Sequence, residues 1–161
     1  MKKWKVGMLG ILLTAVVLSG CGRKTEQEAG FEQAQTETDL ERSRGMFLEF
    51  GEDRFEVELY ANETVEALTE RLPMTLRMEE LNGNEKYYYL DESLPADSEA
   101  VGNIQAGDIM LYGSDCLVVF FESFSTPYSY TRIGHIEDVE GFTSVLPAGT
   151  VEISFGIQEE K

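Results

Sequence analysis

Short runs that alternate apolar and polar residues most restrict the folds open to this chain. In residues 54–60, Phe55, Val57 and Leu59 fall on one face and charged residues on the other, and residues 150–157 alternate in the same way. A period of two is typical of a β-strand with one buried face, because successive side chains point to opposite sides. About eight such runs predict a mostly antiparallel sheet that curls on itself, and closure into a barrel would remove exposed edges.

Two segments change to the spacing of a helix. Within residues 62–73 the apolar side chains recur three and four apart, Asn62 or Thr64 can cap the N-terminus, and Pro73 ends the pattern. Residues 139–146 form a second helix candidate. The predicted fold class is therefore mostly β: a closed antiparallel barrel of about eight strands with two short helices.

The N-terminus has the composition of a secretory signal. A cationic start is followed by an apolar run over residues 6–18 and by Leu18-Ser19-Gly20-Cys21. This sequence resembles the bacterial lipoprotein lipobox, which implies acylation of Cys21 and removal of a signal peptide, residues 1–20. An ordinary transmembrane anchor is the alternative, but the apolar run is shorter than the roughly 20 residues that cross a bilayer. The predicted location is the extracytoplasmic face of the cell membrane, where lipid on Cys21 contacts the bilayer.

Polar residues dominate the next segment. Residues 22–44 are rich in Glu, Gln and Thr, with almost no large apolar side chain, so they cannot bury enough surface to offset the entropy lost on ordering. Residues 21–44 are therefore predicted to be the acylated cysteine and a flexible polar tether. A short helix over residues 36–44 is an alternative for the end of the tether. Residues 45–161 have the length of one domain and contain no internal repeat.

The charge of the chain excludes one class of partner. Removal of residues 1–20 takes away three lysines and no acidic residue, which leaves ten basic and 30 acidic side chains and a formal charge of −20. Such a protein would be repelled by a phosphate backbone, and no basic stripe offsets this locally. Nucleic acid is therefore not a predicted partner.

The few cysteine and histidine residues argue against a thiol or metal centre. Acylation of Cys21 would leave Cys116 without a disulfide partner, and Cys116 begins an apolar run where burial is expected. His135 is the single histidine, and Asp138 three residues later does not complete the three or four ligands of a zinc site. No metal and no cofactor is predicted, and His135 is interpreted as a strand residue with a hydrogen-bond partner.

Three segments carry a family resemblance. They are LNGNEKYYYL at residues 81–90, GDIMLYG at 107–113 and SFSTPYSYTRIG at 123–134. In order and approximate spacing these segments resemble the bacterial cyclophilin-like domain family, over essentially all of residues 45–161. The resemblance implies an eight-stranded barrel with helices closing its ends. It does not by itself imply prolyl isomerase activity, because barrels host unrelated functions.

The isomerase residues of true cyclophilins are missing from their places. In true cyclophilins a catalytic arginine stands eight residues before the glutamine of a Phe-Met-x-Gln-Gly-Gly-Asp segment. Residues 105–108 are similar to the end of that segment, but eight residues before Gln105 stands Asp97, and Gly102 and Asn103 occupy the Phe-Met positions. The resemblance therefore carries no catalytic residue over to this chain.

The aromatic segment that ends at Arg132 is the main candidate binding site. Phe124, Tyr128 and Tyr130 surround Pro127 in a predicted loop. Aromatic side chains in a loop are not accounted for by packing in the core, so a binding role is the better interpretation. Arg132 adds a planar cation that suits a carboxylate, a carbonyl or an extended peptide backbone. The alternative for Arg132 is a structural ion pair with a nearby Glu or Asp.

Three consecutive tyrosines form a second, weaker candidate. On a strand, Tyr87 and Tyr89 share one face and Tyr88 points to the other. One face belongs to the core, and the other could form an aromatic platform for a ligand.

The leading hypothesis is a surface-tethered, non-enzymatic barrel that binds a small ligand or an extended peptide in a groove bordered by Phe124, Tyr128, Tyr130 and Arg132. The alternative is an extracytoplasmic peptidyl-prolyl isomerase or folding factor with its catalytic arginine relocated, for which Arg132 is the candidate. A third class is a structural module that presents the barrel to a partner protein. No catalytic residue is assigned.

Overall fold

The structure is a computed structural model that describes residues 45–158. Several predictions fall outside these residues: the signal peptide, the acylated Cys21, the tether and the alternative short helix over residues 36–44. The two described helices are α1 (Glu63–Thr69) and α2 (Val139–Val145), and neither is long and apolar enough to cross a membrane. The strands are β1 (Met46–Phe50), β2 (Asp53–Leu59), β3 (Met74–Leu81), β4 (Glu85–Tyr89), β5 (Glu99–Ala100), β6 (Asn103–Ile104), β7 (Asp108–Tyr112), β8 (Cys116–Phe120), β9 (Phe124–Ser125), β10 (Ser129–Ile136) and β11 (Val151–Ile157).

Eight of the strands close into a barrel. Their hydrogen-bonded order is β2-β1-β11-β3-β4-β8-β7-β10, and β10 pairs back with β2, where Gly134 lies opposite Leu59 and Ile136 opposite Val57. Every pair in this ring is antiparallel. The predicted fold class, a closed antiparallel eight-stranded barrel with two short helices, is confirmed.

The barrel interior holds the larger hydrophobic core. Side chains of both helices enter it together with the inward residues of the strands. Phe142 of α2 is fully buried, and its ring packs against those of Phe50 and Phe55 at centroid distances of 6.0 and 5.6 Å. Helix α1 is capped by Asn62, whose side-chain oxygen accepts a hydrogen bond from the backbone N–H of Val65 at 3.0 Å. Asn62 is therefore the cap, and Thr64 is not.

A second, smaller core lies on the outer face of β7 and β8. Because Val118 and Phe120 point away from the barrel interior while Leu117 and Val119 point into it, β8 is buried on both faces. This explains why residues 116–120 are apolar without alternation. The buried members of the outer core are Ile104, Met110, Cys116, Val118, Phe120 and Tyr130.

Short strands next to the outer core occupy two segments that were predicted to be loops. Strands β6 and β9 pair with each other, and β5 pairs with the start of β10. Residues 91–102 contain Pro95 and several acidic residues, a composition that predicts a surface loop, but they include β5. Residues 123–130 contain β9 and the first residues of β10. Strands of two residues are too short to show a period in the sequence. The loop predictions for these two segments therefore depended on their content of turn-forming residues.

Lys86 of β4 is a buried cation. Its side chain is 0% exposed, and its ammonium donates hydrogen bonds to Glu80 Oε2 at 2.7 Å and to the carbonyl oxygens of Pro147 and Gly149 at 2.7 and 2.6 Å. Glu80 also accepts a hydrogen bond from the backbone N–H of Gly149 at 2.8 Å. The ammonium therefore uses all three of its donors and joins the loop between α2 and β11 to β3 and β4.

Candidate binding face

Five tyrosines gather on the outside of the barrel beside the outer core. The register places Tyr89 of β4 and Tyr112 of β7 on either side of Cys116, with which each is paired. The ring of Tyr87 packs edge-on against Tyr89 at a centroid distance of 5.9 Å. Tyr88 packs instead against the barrel interior, so the predicted division of the three consecutive tyrosines is confirmed. We term Tyr87, Tyr89, Tyr112, Tyr128 and Tyr130 the tyrosine face.

The aromatic residues predicted to form a site are joined in one continuous array. Phe124 and Tyr130 both pack on Phe120, at centroid distances of 5.7 and 5.6 Å. Tyr112 in turn contacts Tyr130 at 5.5 Å and Tyr128 at 6.0 Å. Phe120 and Tyr112 were missed as site residues because they lie in strands, and only the pairing of β7, β8 and β10 brings them to the others.

The structure divides the predicted aromatic residues into buried and exposed members. Tyr130 lies in β10 and is only 6% exposed, so the premise that it sits in a loop was wrong. Phe124 lies in β9 and is partly buried against the outer core. Tyr128 is 57% exposed and is the member of the predicted set that offers most of its ring to a ligand.

Arg132 forms an ion pair with a carboxylate, which is the alternative role predicted for it from the sequence. Its Nε donates to Glu99 Oε1 at 2.9 Å, and its guanidinium lies 5.9 Å from the centroid of the Tyr60 ring. The hydrogen bond to Glu99 is the main reason why the pKa of Arg132 is raised, and Tyr60 adds to it. The side chain nevertheless stays 30% exposed, so the cation remains accessible at the edge of the outer face.

Cys116 lies beneath the tyrosine face and is 5% exposed, which confirms its predicted burial. Burial raises the pKa of the thiol to about 11, and the neighbouring Asp115 carboxylate acts in the same direction. At neutral pH the side chain is therefore a thiol and not a thiolate, and a nucleophilic role does not fit these surroundings.

His135 has a carboxylate partner, but not the one that lies near it in sequence. Its Nδ1 is 2.9 Å from Asp108 Oδ1, while the other carboxylate oxygen of Asp108 accepts from the backbone N–H of Gln105 at 2.9 Å. Asp138 instead caps α2 by accepting from the N–H of Gly141. Within residues 45–158, no group of three or more His, Cys, Asp or Glu side chains is arranged to hold a metal ion.

The positions that correspond to the cyclophilin isomerase motif have local structural roles here. Asp97 is exposed, and its backbone N–H donates to Thr131 Oγ1 at 3.0 Å. Gly102 adopts a positive φ of 71°, and Gly107, with φ of 93°, turns the chain into β7. A side chain at Gly107 would also collide with Val139, since a Cβ there would lie 2.7 Å from Val139 Cγ2.

Two surface depressions lie away from this face. One, of about 760 Å³, is lined by residues of β1, β3 and β11 and of the segment after α2, and the other, of about 260 Å³, lies along β1, β3 and β11. Neither includes Phe124, Tyr128, Tyr130 or Arg132. In the ring of strands, β1 and β11 lie across the barrel from β8. A ligand of the tyrosine face would therefore lie across a surface and would not enter either depression.

Comparison with known proteins gives one match. Searches of curated proteins and of solved structures found none. The description of the protein-family model that does match is "Cyclophilin-like family", and the match spans residues 48–156, from β1 to β11. These residues include the whole barrel apart from the outermost residues of its first and last strands. The chain belongs to the Cyclophilin-like family.

Proposed function

We propose that this protein is a lipid-anchored, extracytoplasmic lipoprotein whose barrel binds an extended peptide or a small ligand on its outer face. The observation that carries the proposal is the continuous aromatic array from Phe124 to Tyr128, with Arg132 at its edge. Exposed aromatic rings beside a cation provide apolar contact and directed hydrogen bonds in one place. Binding without isomerisation is supported by Asp97, which places a carboxylate where cyclophilins have their arginine.

Within this proposal an extended peptide is favoured over a compact ligand. Small ligands are usually enclosed by concave pockets that bury most of their surface. The tyrosine face is instead spread over β4, β7, β10 and the segment just before β10, and three of its rings are between 44% and 59% exposed. A surface of this shape suits a chain laid along it, because extended peptides gain affinity from several side-chain contacts.

Replacing Arg132 with alanine is expected to weaken peptide binding about tenfold or more while the fold stays intact. Hydrogen bonds to a charged group contribute about 1.5–3 kcal/mol, whereas an exposed ion pair such as Arg132–Glu99 contributes less than about 1 kcal/mol to folding. Binding can be measured by nuclear magnetic resonance titration with a panel of Xaa-Pro peptides. The protein used is residues 21–161 with Cys21→Ser, here termed the soluble chain.

Arg54 offers a matched control for this test. It pairs with Glu49 at 2.9 Å and lies 3.7 Å over the Phe47 ring, so it reproduces the ion pair and aromatic contact of Arg132 on a different part of the barrel. Arg54→Ala should leave peptide affinity unchanged. Equal weakening in both variants, or a large fall in melting temperature for Arg132→Ala alone, would contradict a binding role for Arg132.

Lipid attachment is expected at Cys21 and nowhere else. A chain expressed with its N-terminus in a bacterium should incorporate labelled palmitate, and Cys21→Ser should incorporate none. Cys116→Ser is the matched control, since it removes the other cysteine of the chain and should retain the label. Label that persists in Cys21→Ser, or that disappears in Cys116→Ser, would refute the proposed anchor.

A peptidyl-prolyl isomerase is the alternative, and one observation favours it. The register places Arg132 opposite Met110 of the outer core, so its guanidinium and the exposed rings of Tyr112 and Tyr128 occur on the same outer face. A coupled proline-peptide assay of the soluble chain separates the two functions. Turnover that Arg132→Ala abolishes would establish the enzyme, whereas binding without turnover supports the proposed barrel.

A further inference from the structure

Exposed rings and carboxylates occur together on the tyrosine face. Tyr89, Tyr112 and Tyr128 are 59%, 44% and 57% exposed, and they are three of the six large hydrophobic side chains that are exposed within residues 45–158. The hydroxyl of Tyr87 donates to Glu79 Oε2 at 3.0 Å, and the register places Glu99 opposite Tyr130. The rings are therefore available to a ligand and are bordered by negative charge.

Two further carboxylates lie near the same rings. Asp115 directly precedes Cys116, the residue that is paired with both Tyr89 and Tyr112. The register places Glu85 opposite Phe120, on the same face of β4 as Tyr87 and Tyr89. The carboxylates around the face are Glu79, Glu85, Glu99 and Asp115, and the nearby cation, Arg132, is already paired with Glu99. The face therefore carries net negative charge.

From these contacts we infer that the tyrosine face binds an arginine- or lysine-bearing extended segment of another protein. The inference rests on the proposed function, since it names the class of peptide for the same outer face. The face of an aromatic ring attracts a cation, and flanking carboxylates add charge complementarity that steers and selects the partner. Tyr89 and Tyr112 are separated by β8, about 10 Å at the usual spacing of strands, so the face accommodates several residues of an extended chain.

Charge also argues against a second copy of this chain as the occupant. Residues 45–158 contain 22 acidic and five basic side chains. Lys86 is buried, while Arg54 and Arg132 are paired with carboxylates, so few cations remain to offer to another copy. A partner of opposite charge fits the tyrosine face, and a copy of the same acidic barrel does not.

The test compares two peptides that differ only in charge. The probe is acetyl-(Ala-Arg)3-amide, and its control carries citrulline, which has nearly the shape of arginine but no charge. The arginine peptide should bind the soluble chain about tenfold more tightly at low salt, with amide shifts centred on Tyr89, Tyr112 and Tyr128. Equal affinity of the two peptides, or shifts spread over the acidic surface away from these residues, would overturn the inference.

Variants test the rings and the charges separately. The double variant Tyr112→Leu with Tyr128→Leu should bind the arginine peptide about fivefold or more weakly, because leucine keeps apolar surface but removes the ring. Phe47→Leu, which alters a partly exposed aromatic ring on β1, across the barrel from β8, should change the affinity less than about twofold. Asp115→Asn should weaken binding, while Glu152→Gln on β11 should not. Equal effects of the face variants and their controls would contradict the inference.

Failure of this inference can be told apart from failure of the proposed function. If Xaa-Pro peptides bind in an Arg132-dependent way and the arginine peptide does not, the face binds peptides and the inferred charge preference is wrong. If neither kind of peptide binds, both proposals fail. Analytical ultracentrifugation gives one more outcome: dimerisation that Tyr112→Leu with Tyr128→Leu abolishes would identify a second copy as the occupant and overturn the inference.

Discussion

Replacing Lys86 with methionine is expected to lower the free energy of unfolding by about 2–4 kcal/mol, because it removes three hydrogen bonds of a charged group but leaves Glu80, whose side chain is 27% exposed, in contact with water. Methionine fills a similar volume, but it leaves the carbonyl oxygens of Pro147 and Gly149 without the ammonium that lies 2.7 and 2.6 Å away. Each of these hydrogen bonds is made to a charged donor, and a bond of this kind contributes about 1.5–3 kcal/mol. Urea unfolding of the soluble chain, followed by circular dichroism, measures the loss.

Arg71 provides the matched control for Lys86. It also donates to two backbone carbonyls, those of Glu92 and Ser93, at 2.9 Å each, but its side chain is only partly buried. Water can replace the guanidinium there, so Arg71→Met should cost less than about 1 kcal/mol. A small loss in both variants would show that the burial of Lys86 contributes little to stability.

The pH dependence of stability gives a second readout of the same contact. The hydrogen bond from Lys86 is the main reason why the pKa of Glu80 lies below its usual value of 4.5, and the N–H of Gly149 adds to it. A carboxyl group whose pKa is lowered by folding stabilises the protein at pH values above its unfolded pKa, and this stabilisation is lost as the pH falls through the folded pKa. Lys86→Met should therefore flatten the loss of stability below about pH 4.5.

The sequence predicted the barrel strands well because their pattern is local. The alternating runs at residues 54–60 and 150–157 agree with β2 and β11 to within one residue at each end. One face of each strand is buried, so apolar and polar residues alternate along the sequence with a period of two. Lys86 could not be found in this way, since its acceptors Pro147 and Gly149 lie 61 and 63 residues along the chain.

The candidate site was predicted only in part, for a related reason. Tyr128 and Arg132 could be selected from their residue types, but the outer core that buries Tyr130 depends on strands β6 and β9, each of two residues. Tyr112 joins Tyr128 and Tyr130 only through the register of β7 with β10. Such contacts between distant segments leave no periodic trace in the sequence, because the pairing partner is fixed by the whole barrel.

Replacing Phe120 with alanine is expected to lower the free energy of unfolding by about 3–5 kcal/mol and to abolish peptide binding by the tyrosine face. Phe120 is fully buried, and its ring supports both Phe124 and Tyr130, at centroid distances of 5.7 and 5.6 Å. Its removal leaves a cavity beneath Tyr130, whose ring contacts Tyr112, and Tyr112 in turn contacts Tyr128. The milder variant Phe120→Leu should cost about 1–2 kcal/mol, so binding can be measured on a folded protein.

Phe142→Leu separates loss of stability from loss of the binding face. Phe142 is also fully buried, but it packs on Phe50 and Phe55 in the barrel interior. Phe142→Leu and Phe120→Leu should therefore have similar unfolding free energies, whereas only Phe120→Leu should weaken peptide affinity and reduce the near-ultraviolet circular dichroism of the tyrosines. The only tryptophan is Trp4, which the soluble chain lacks because it begins at residue 21, so the near-ultraviolet signal reports the tyrosines and phenylalanines. Equal losses of affinity in the two variants would mean that the face responds to global stability, and that the outer core does not position it.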